Sequence, residues 1–217
     1  MSEYENEGFI IRIAALGISS LQKLSAVEHW KRLGETILRY RCATPSDEIL
    51  RKSANLWIDW FIVLKWIFVA VLIWKMAGGW VSGIAVCYLL FFNAFSYFFY
   101  HGWGSNFVPP KLTPEETVRR DRRRLVSFLL AFLFSIFGFS YLYAVQIPLH
   151  LDWPTSPNRL DAVLLSVSNS FTLTYEGFQP KDQLARGVLL LQLMNVFLFL
   201  TVLIGNAIPS IGRSEPR

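Results

Sequence analysis

Asp161–Pro180 reads D-A-V-L-L-S-V-S-N-S-F-T-L-T-Y-E-G-F-Q-P, a short apolar run that passes into a small polar bend. It stands between two long hydrophobic segments, Leu125–Val145 and Gly187–Ile208. Leu160, Val163, Leu164, Val167 and Phe171 recur at helical spacing. Ser156 is placed to cap that helix and Pro157 to open it, since proline at the first helical position gives up no useful N–H. A helix over 157–171 is too short to cross a bilayer, which takes about 20 residues. Irregular backbone at membrane depth is tolerated only where protein buries it or it lines water. The stretch therefore predicts a helix that dips into the membrane and turns back. The bland alternative is a polar bend between two buried helices. The order of helix, bend, proline and flanking spans favours the dipping loop.

Ala162-Val163-Leu164-Leu165-Ser166-Val167, then Thr172, Leu173 and Tyr175, then Pro180 and the Arg186-Gly187 that opens the last hydrophobic segment resemble the pore-loop potassium channels. The selectivity filter of that family reads T-V-G-Y-G, and its carbonyl rings replace an ion's water shell. The likeness covers the last quarter of the chain, or two fifths with the segment before it. It implies a potassium-channel-like pore and a homotetramer; together with the two hydrophobic segments read upstream, the expected fold is an all-α membrane protein with four transmembrane helices per subunit. It also implies a pore helix at 157–171 and an ion-conducting filter at 172–177: Thr172, Leu173, Thr174, Tyr175, Glu176 and Gly177. Two departures stand out. Thr174 and Glu176 occupy the positions of the family's filter glycines, whose backbone angles cost a residue with a side chain roughly 1–2 kcal/mol. Val196 stands where many members have a hinge glycine.

Read from the residues alone, the bend still suits a cation. Thr172 and Thr174 offer hydroxyl and carbonyl oxygens, and the end of the preceding helix is the negative pole of its dipole. Repeated around an axis, Glu176 would form an acidic ring, which selects cations. Gln192, Asn195, Thr201 and Gly205 in the last segment are candidates to line a cavity or a gate. The alternative for the three polar ones is hydrogen bonding between helices. Gly205 and Pro209 either bend this helix or mark its end.

Upstream, residues 113–217 form the expected pore domain, with spans at 125–145 and 187–208. Thr113 and Glu116 make a capping box at the start of its first helix. Arg119, Arg120, Arg122, Arg123 and Arg124 precede the span at 125. They are read as a cytoplasmic topology signal or as a site for anionic lipid head groups. Residues 44–112 form a peripheral hairpin, with spans at 56–76 and 80–100 joined by Ala77-Gly78-Gly79. The first of these carries Lys65 near its middle, where a charge is costly and either pairs, snorkels or serves function. Thr44-Pro45-Ser46-Asp47-Glu48 reads as its helix start. Residues 1–43 form a cytoplasmic or interfacial helical segment, with Ile10, Ile13, Leu16, Leu21, Leu24 and Val27 near helical spacing among basic residues. The acidic Met1–Gly8 lacks the basic region of a signal peptide, so none is expected.

Composition agrees with this plan. Of 217 residues, 53% are hydrophobic and only 17% charged, where soluble domains carry about 25%. The net charge of +5 comes from basic residues at segment ends, which suits membrane topology better than nucleic acid. Counting spans places both termini in the cytoplasm of a multi-pass cell-membrane protein. No nucleotide loop, zinc spacing or nucleophile motif occurs, so neither an enzyme nor a cofactor is expected. The expected function is a tetrameric cation channel subunit in contact with membrane lipids. It would conduct potassium or monovalent cations non-selectively, with sodium or calcium as further permeant ions. The alternative is a non-conducting accessory or scaffold protein that has kept the pore-loop fold. A small transporter built from repeated broken helices ranks last, since only the second half holds a dipping loop.

Overall fold

The computed structural model describes residues 9–41, 46–101, 114–154, 156–175 and 177–211. The chain is mostly helical: α1 (Phe9–Leu24), α2 (Ala26–Arg41), α3 (Asp47–Lys75), α4 (Trp80–His101), α5 (Pro114–Tyr141), α6 (Arg159–Ser170) and α7 (Gln183–Ile211). Two-residue strands β1 (Leu151–Asp152) and β2 (Gln179–Pro180) flank α6 and pair antiparallel. Among the described residues, four helices are long and apolar enough to cross a membrane, over Lys52–Lys75, Trp80–Phe99, Arg122–Gln146 and Gln183–Val202. These coincide, within a few residues at their ends, with the four spans read from the sequence, and the fold is compatible with an all-α membrane protein. Thr44, Pro45 and Thr113, expected at helix starts, lie outside the described residues. The chain divides into two compact units, Met1–Lys65 and Trp66–Arg217.

In the first unit, α1 and α2 meet at the buried Ser25, whose carbonyl accepts the Glu28 N–H at 3.1 Å. Next, α2 lies along the first turns of α3. Trp30 meets Trp57 edge-on with ring centroids 5.5 Å apart, and Phe61 at 6.3 Å. Gly34 is pressed against the Trp57 indole, closer than any β carbon would allow. Glycine is required there by the approach of the ring.

In the second unit, α3 ends in a turn at Met76–Gly79, where Gly79 takes φ +146°, a conformation side chains rarely adopt. The far end of α5 latches this turn. The Tyr141 hydroxyl lies 3.0 Å from the Ala77 carbonyl and 2.8 Å from Ser82 Oγ. The Gln146 amide donates to the Gly79 carbonyl at 3.2 Å and to Tyr141 at 2.7 Å. There α5 widens into one π turn, Leu142–Gln146, and tightens into a 3-10 turn, Pro148–His150.

One core of this unit gathers Val86, Leu90, Phe134, Phe139, Tyr141, Tyr143, Leu151, Ala162 and Ala185 around α6. A second joins Tyr97, Phe128, Phe199 and Val202. Between them Asn93 donates its amide to the Ala131 carbonyl at 2.8 Å, so a buried polar group on α4 is paired within α5. The outward sides of the long helices stay apolar: Ile67, Val71, Ile84, Leu129 and Leu133 are all exposed. Apolar surface on that scale suits lipid rather than water.

Candidate functional site

The site is α6 with the segment that returns from it. Asn158 caps α6: its side-chain oxygen accepts the Asp161 N–H at 2.8 Å, and its amide donates to the Asp161 carboxylate at 2.5 Å. The expected cap at Ser156 and opening at Pro157 are thereby corrected; the helix starts two residues later than proline requires, at Arg159. Asn158 takes extended backbone angles and closes a local ring with Asp161, which favours it as the cap. The Arg159 guanidinium sits 5.4 Å from the Trp74 ring centroid, tying the start of α6 to the end of α3.

Three polar side chains on one side of α6, Ser166, Asn169 and Ser170, meet Gln192 of α7. The Gln192 amide has two N–H bonds to share among three acceptors in reach, the Ser166 carbonyl at 2.8 Å, Ser166 Oγ at 2.8 Å and Ser170 Oγ at 2.7 Å. Its carbonyl oxygen accepts from the Tyr143 hydroxyl at 2.5 Å and from the Asn169 amide at 3.0 Å. Ser166 Oγ also donates to the Ile136 carbonyl of α5 at 2.8 Å, and Asn169 to the Leu189 carbonyl at 3.1 Å. The network joins α5, α6 and α7 at one level. Gln192, expected to line a cavity, is only 1% exposed and faces inward between helices instead. A side chain with a donor and an acceptor gains more from five partners in a dry interface than from a wet wall.

The C-terminal end of α6 is closed by its own chain. N–H groups of Phe171, Thr172 and Leu173 bond to the carbonyls of Val167, Asn169 and Ser168 at 3.1, 3.1 and 2.8 Å. That turn needs a left-handed residue, and Thr172 supplies it with φ +56°. For a β-branched residue this costs roughly 1–2 kcal/mol. Glycine-like angles therefore fall at Thr172 and at Gly177, which has φ +83°, and not at Thr174. Glu176 lies outside the described residues. Thr172, Leu173 and Thr174 are exposed, with Leu173 at 64%. Tyr175 turns back to the start of α6, its hydroxyl 3.4 Å from Asp161 Oδ1 and its ring 5.0 Å from that of Phe178.

A strap closes the neck of the loop. Besides the β1–β2 pairing, the Lys181 N–H donates to the His150 carbonyl at 3.0 Å and its ammonium lies 3.2 Å from Asp152. Asp182 serves two contacts: Oδ1 accepts the Ala185 N–H at 3.0 Å, capping α7, while Oδ2 pairs with His150 Nδ1. The Ala185 N–H first, and His150 second, hold the Asp182 carboxyl below the usual carboxylate range. A depressed folded-state pKa contributes stability at neutral pH that is lost as pH falls through the folded value. Asp182→Asn is therefore expected to lower the melting temperature near pH 7 and leave it unchanged at about pH 2. Melts in detergent micelles at the two pH values check this.

The remaining candidates are scattered. Asn195 is half-buried, and its side-chain oxygen is enclosed without a hydrogen-bond partner among the described residues. Thr201 is exposed, beside Met194 and Phe197 in an apolar groove, and donates to the Phe197 carbonyl at 2.8 Å. Gly205 and Pro209 both lie within α7, which continues to Ile211. Arg122 and Arg123 are exposed and Arg124 is half-buried, while Arg119 and Arg120 are placed only as helix. Lys65 is half-buried in α3. The strap and the roles of Tyr143, Ser166 and Ser170 were not read from the sequence. Serines and an asparagine spaced three and four apart in an otherwise apolar helix were the available signal. No protein-family model, no curated protein and no solved structure matches this chain.

Proposed function

We propose that the chain is one subunit of a pore-loop cation channel, a homotetramer that conducts potassium or monovalent cations non-selectively. One observation carries this reading. The loop enters and leaves through one neck, the β1–β2 strap, yet its tip reaches far along the spans. The Phe171 ring lies 6.3 Å from that of Phe132. Phe132 is roughly 14 Å from Tyr141 along α5 at about 1.5 Å per residue, and the π turn to Gln146 adds to that, which carries the tip to about the middle of a hydrocarbon core of about 30 Å. At that depth, exposed backbone at Thr172–Thr174 has to meet protein or water, not acyl chains. A ring of copies around a water-filled axis meets both needs, and places threonine oxygens and the negative end of α6 toward a cation.

In this reading the filter is Thr172, Leu173, Thr174, Tyr175, Glu176 and Gly177, and the permeant ions are potassium, with sodium and calcium as companions. Both termini are cytoplasmic, and the exposed Arg122 and Arg123 lie at the level of lipid head groups. The likeness to potassium channels supports four-fold assembly. The second reading, a non-conducting accessory subunit, draws on the left-handed turn at Thr172 rather than Thr174, which changes the row of carbonyls.

Planar-bilayer recording separates the two. Purified protein is expected to give discrete cation currents, and Glu176→Gln to lower single-channel conductance on the order of two-fold by removing charge that concentrates cations at the mouth. Silence from well-folded tetramers would overturn conduction in favour of the accessory role.

A further inference from the structure

Helix α1 has two apolar sides, and protein covers only one of them. Ala14, Ala15, Ile18 and Leu21 are half-buried on one side. Phe9, Ile10, Ile13, Leu16 and Leu24 share the other and are 53% to 81% exposed. Water does not suit a bare apolar side of this size on a helix whose opposite side is already packed.

Two further observations say what covers it. The first is depth. Counting back about 20 residues from Lys75, the length that crosses a bilayer, ends near Leu56. Trp57 and Trp60 thus stand where aromatic residues mark the membrane rim. Helix α2 is fastened to α3 there, through Trp30 on Trp57 and Phe61 and through Gly34 on Trp57. The start of α2, and with it the junction to α1 at Ser25, is therefore carried to the level of the hydrocarbon edge. The second is charge. Lys23 is exposed at the end of α1, and Arg32 and Arg39 are exposed along α2, a basic fringe of the kind that meets lipid head groups.

From these we infer that α1 is embedded in the leaflet that α3 enters by its Lys52 end. Phe9, Ile10, Ile13 and Leu16 lie against acyl chains and Lys23 lies among head groups. The occupant of the bare side is lipid, and the inference does not depend on ion conduction.

Nitroxide labels test it on the full chain in liposomes of phosphatidylcholine and phosphatidylglycerol. Cys42→Ser and Cys87→Ser clear the background, and Ile10→Cys, Ile13→Cys, Leu16→Cys and Ser19→Cys each carry one label. All four positions are exposed, so a label displaces no packed side chain. At Ile10, Ile13 and Leu16, collisions with oxygen are expected to exceed those with a water-soluble nickel chelate. The order is expected to reverse at Ser19, on the flank shared with Lys23. Nickel dominating at all four positions would place α1 in water. Weak collision with both reagents at the first three would mean that a second copy or another protein covers it. Either result overturns the inference.

Discussion

Gln192→Leu is expected to destabilise the protein by about 2–4 kcal/mol, more than an exposed substitution in a membrane helix costs. The shape of the two side chains is similar, so the loss is polar. Ser166 keeps its bond to the Ile136 carbonyl and Ser170 keeps its bond to the Ser166 carbonyl. Asn169 keeps the Leu189 carbonyl. Among the described residues the Tyr143 hydroxyl has no such second acceptor: its proton goes to Gln192, and the residue is fully buried. Leucine strands that donor in a dry core, and stranding one group costs about 1–3 kcal/mol before the other bonds are counted. Adding Tyr143→Phe removes the orphan, so the double variant should recover about 1–2 kcal/mol relative to the sum of the singles. Unfolding of the four proteins in mixed micelles with rising denaturing detergent measures the cycle. A Gln192→Leu protein as stable as the parent would mean that the network is not formed in solution.

Gly34→Val is the second large effect, about 3 kcal/mol, and it should stay within Met1–Lys65. A β carbon at position 34 would fall on the Trp57 indole. That ring cannot slide freely, because Trp30 stands edge-on against it at 5.5 Å. The expected result is that α2 separates from α3. Near-ultraviolet circular dichroism should lose the Trp30–Trp57 signal, and the segment before Asp47 should become sensitive to protease while α5–α7 stay protected. Gly34→Val with Trp57→Ala should restore protection in part, since the smaller side chain makes room. If the single variant resists protease as the parent does, α2 does not lean on α3 as described.

The four helices that could cross a membrane were legible in the sequence because each is long, apolar and sparsely charged, and length with hydropathy is enough to say so. The hairpin turn after α3 was legible for a local reason, since Gly78-Gly79 admits angles that other residues resist, and Gly79 uses one. The short helix between the last two long ones was legible as an apolar run too short to span. Its start was not: serine, proline and asparagine compete over Ser156–Asn158, and the ring between Asn158 and Asp161 settles the competition. The left-handed residue at the end of α6 was also missed, because threonine is a poor choice for that geometry and only the closure of three helix carbonyls requires it.

Taken alone, the order of residues determined where the chain is apolar, how long each apolar stretch runs and which stretch cannot reach across. Those are properties of composition and period, readable without knowing any neighbour. Which side of α7 turns inward was decided only by tertiary structure. A glutamine in an apolar helix suits water in a cavity as well as a hydroxyl across a helix interface, and the choice depends on what stands opposite. Here Tyr143, Ser166, Asn169 and Ser170 stand opposite, brought there by chain far away in sequence. The strap has the same origin, since nothing local to His150 or to Asp182 announces the other.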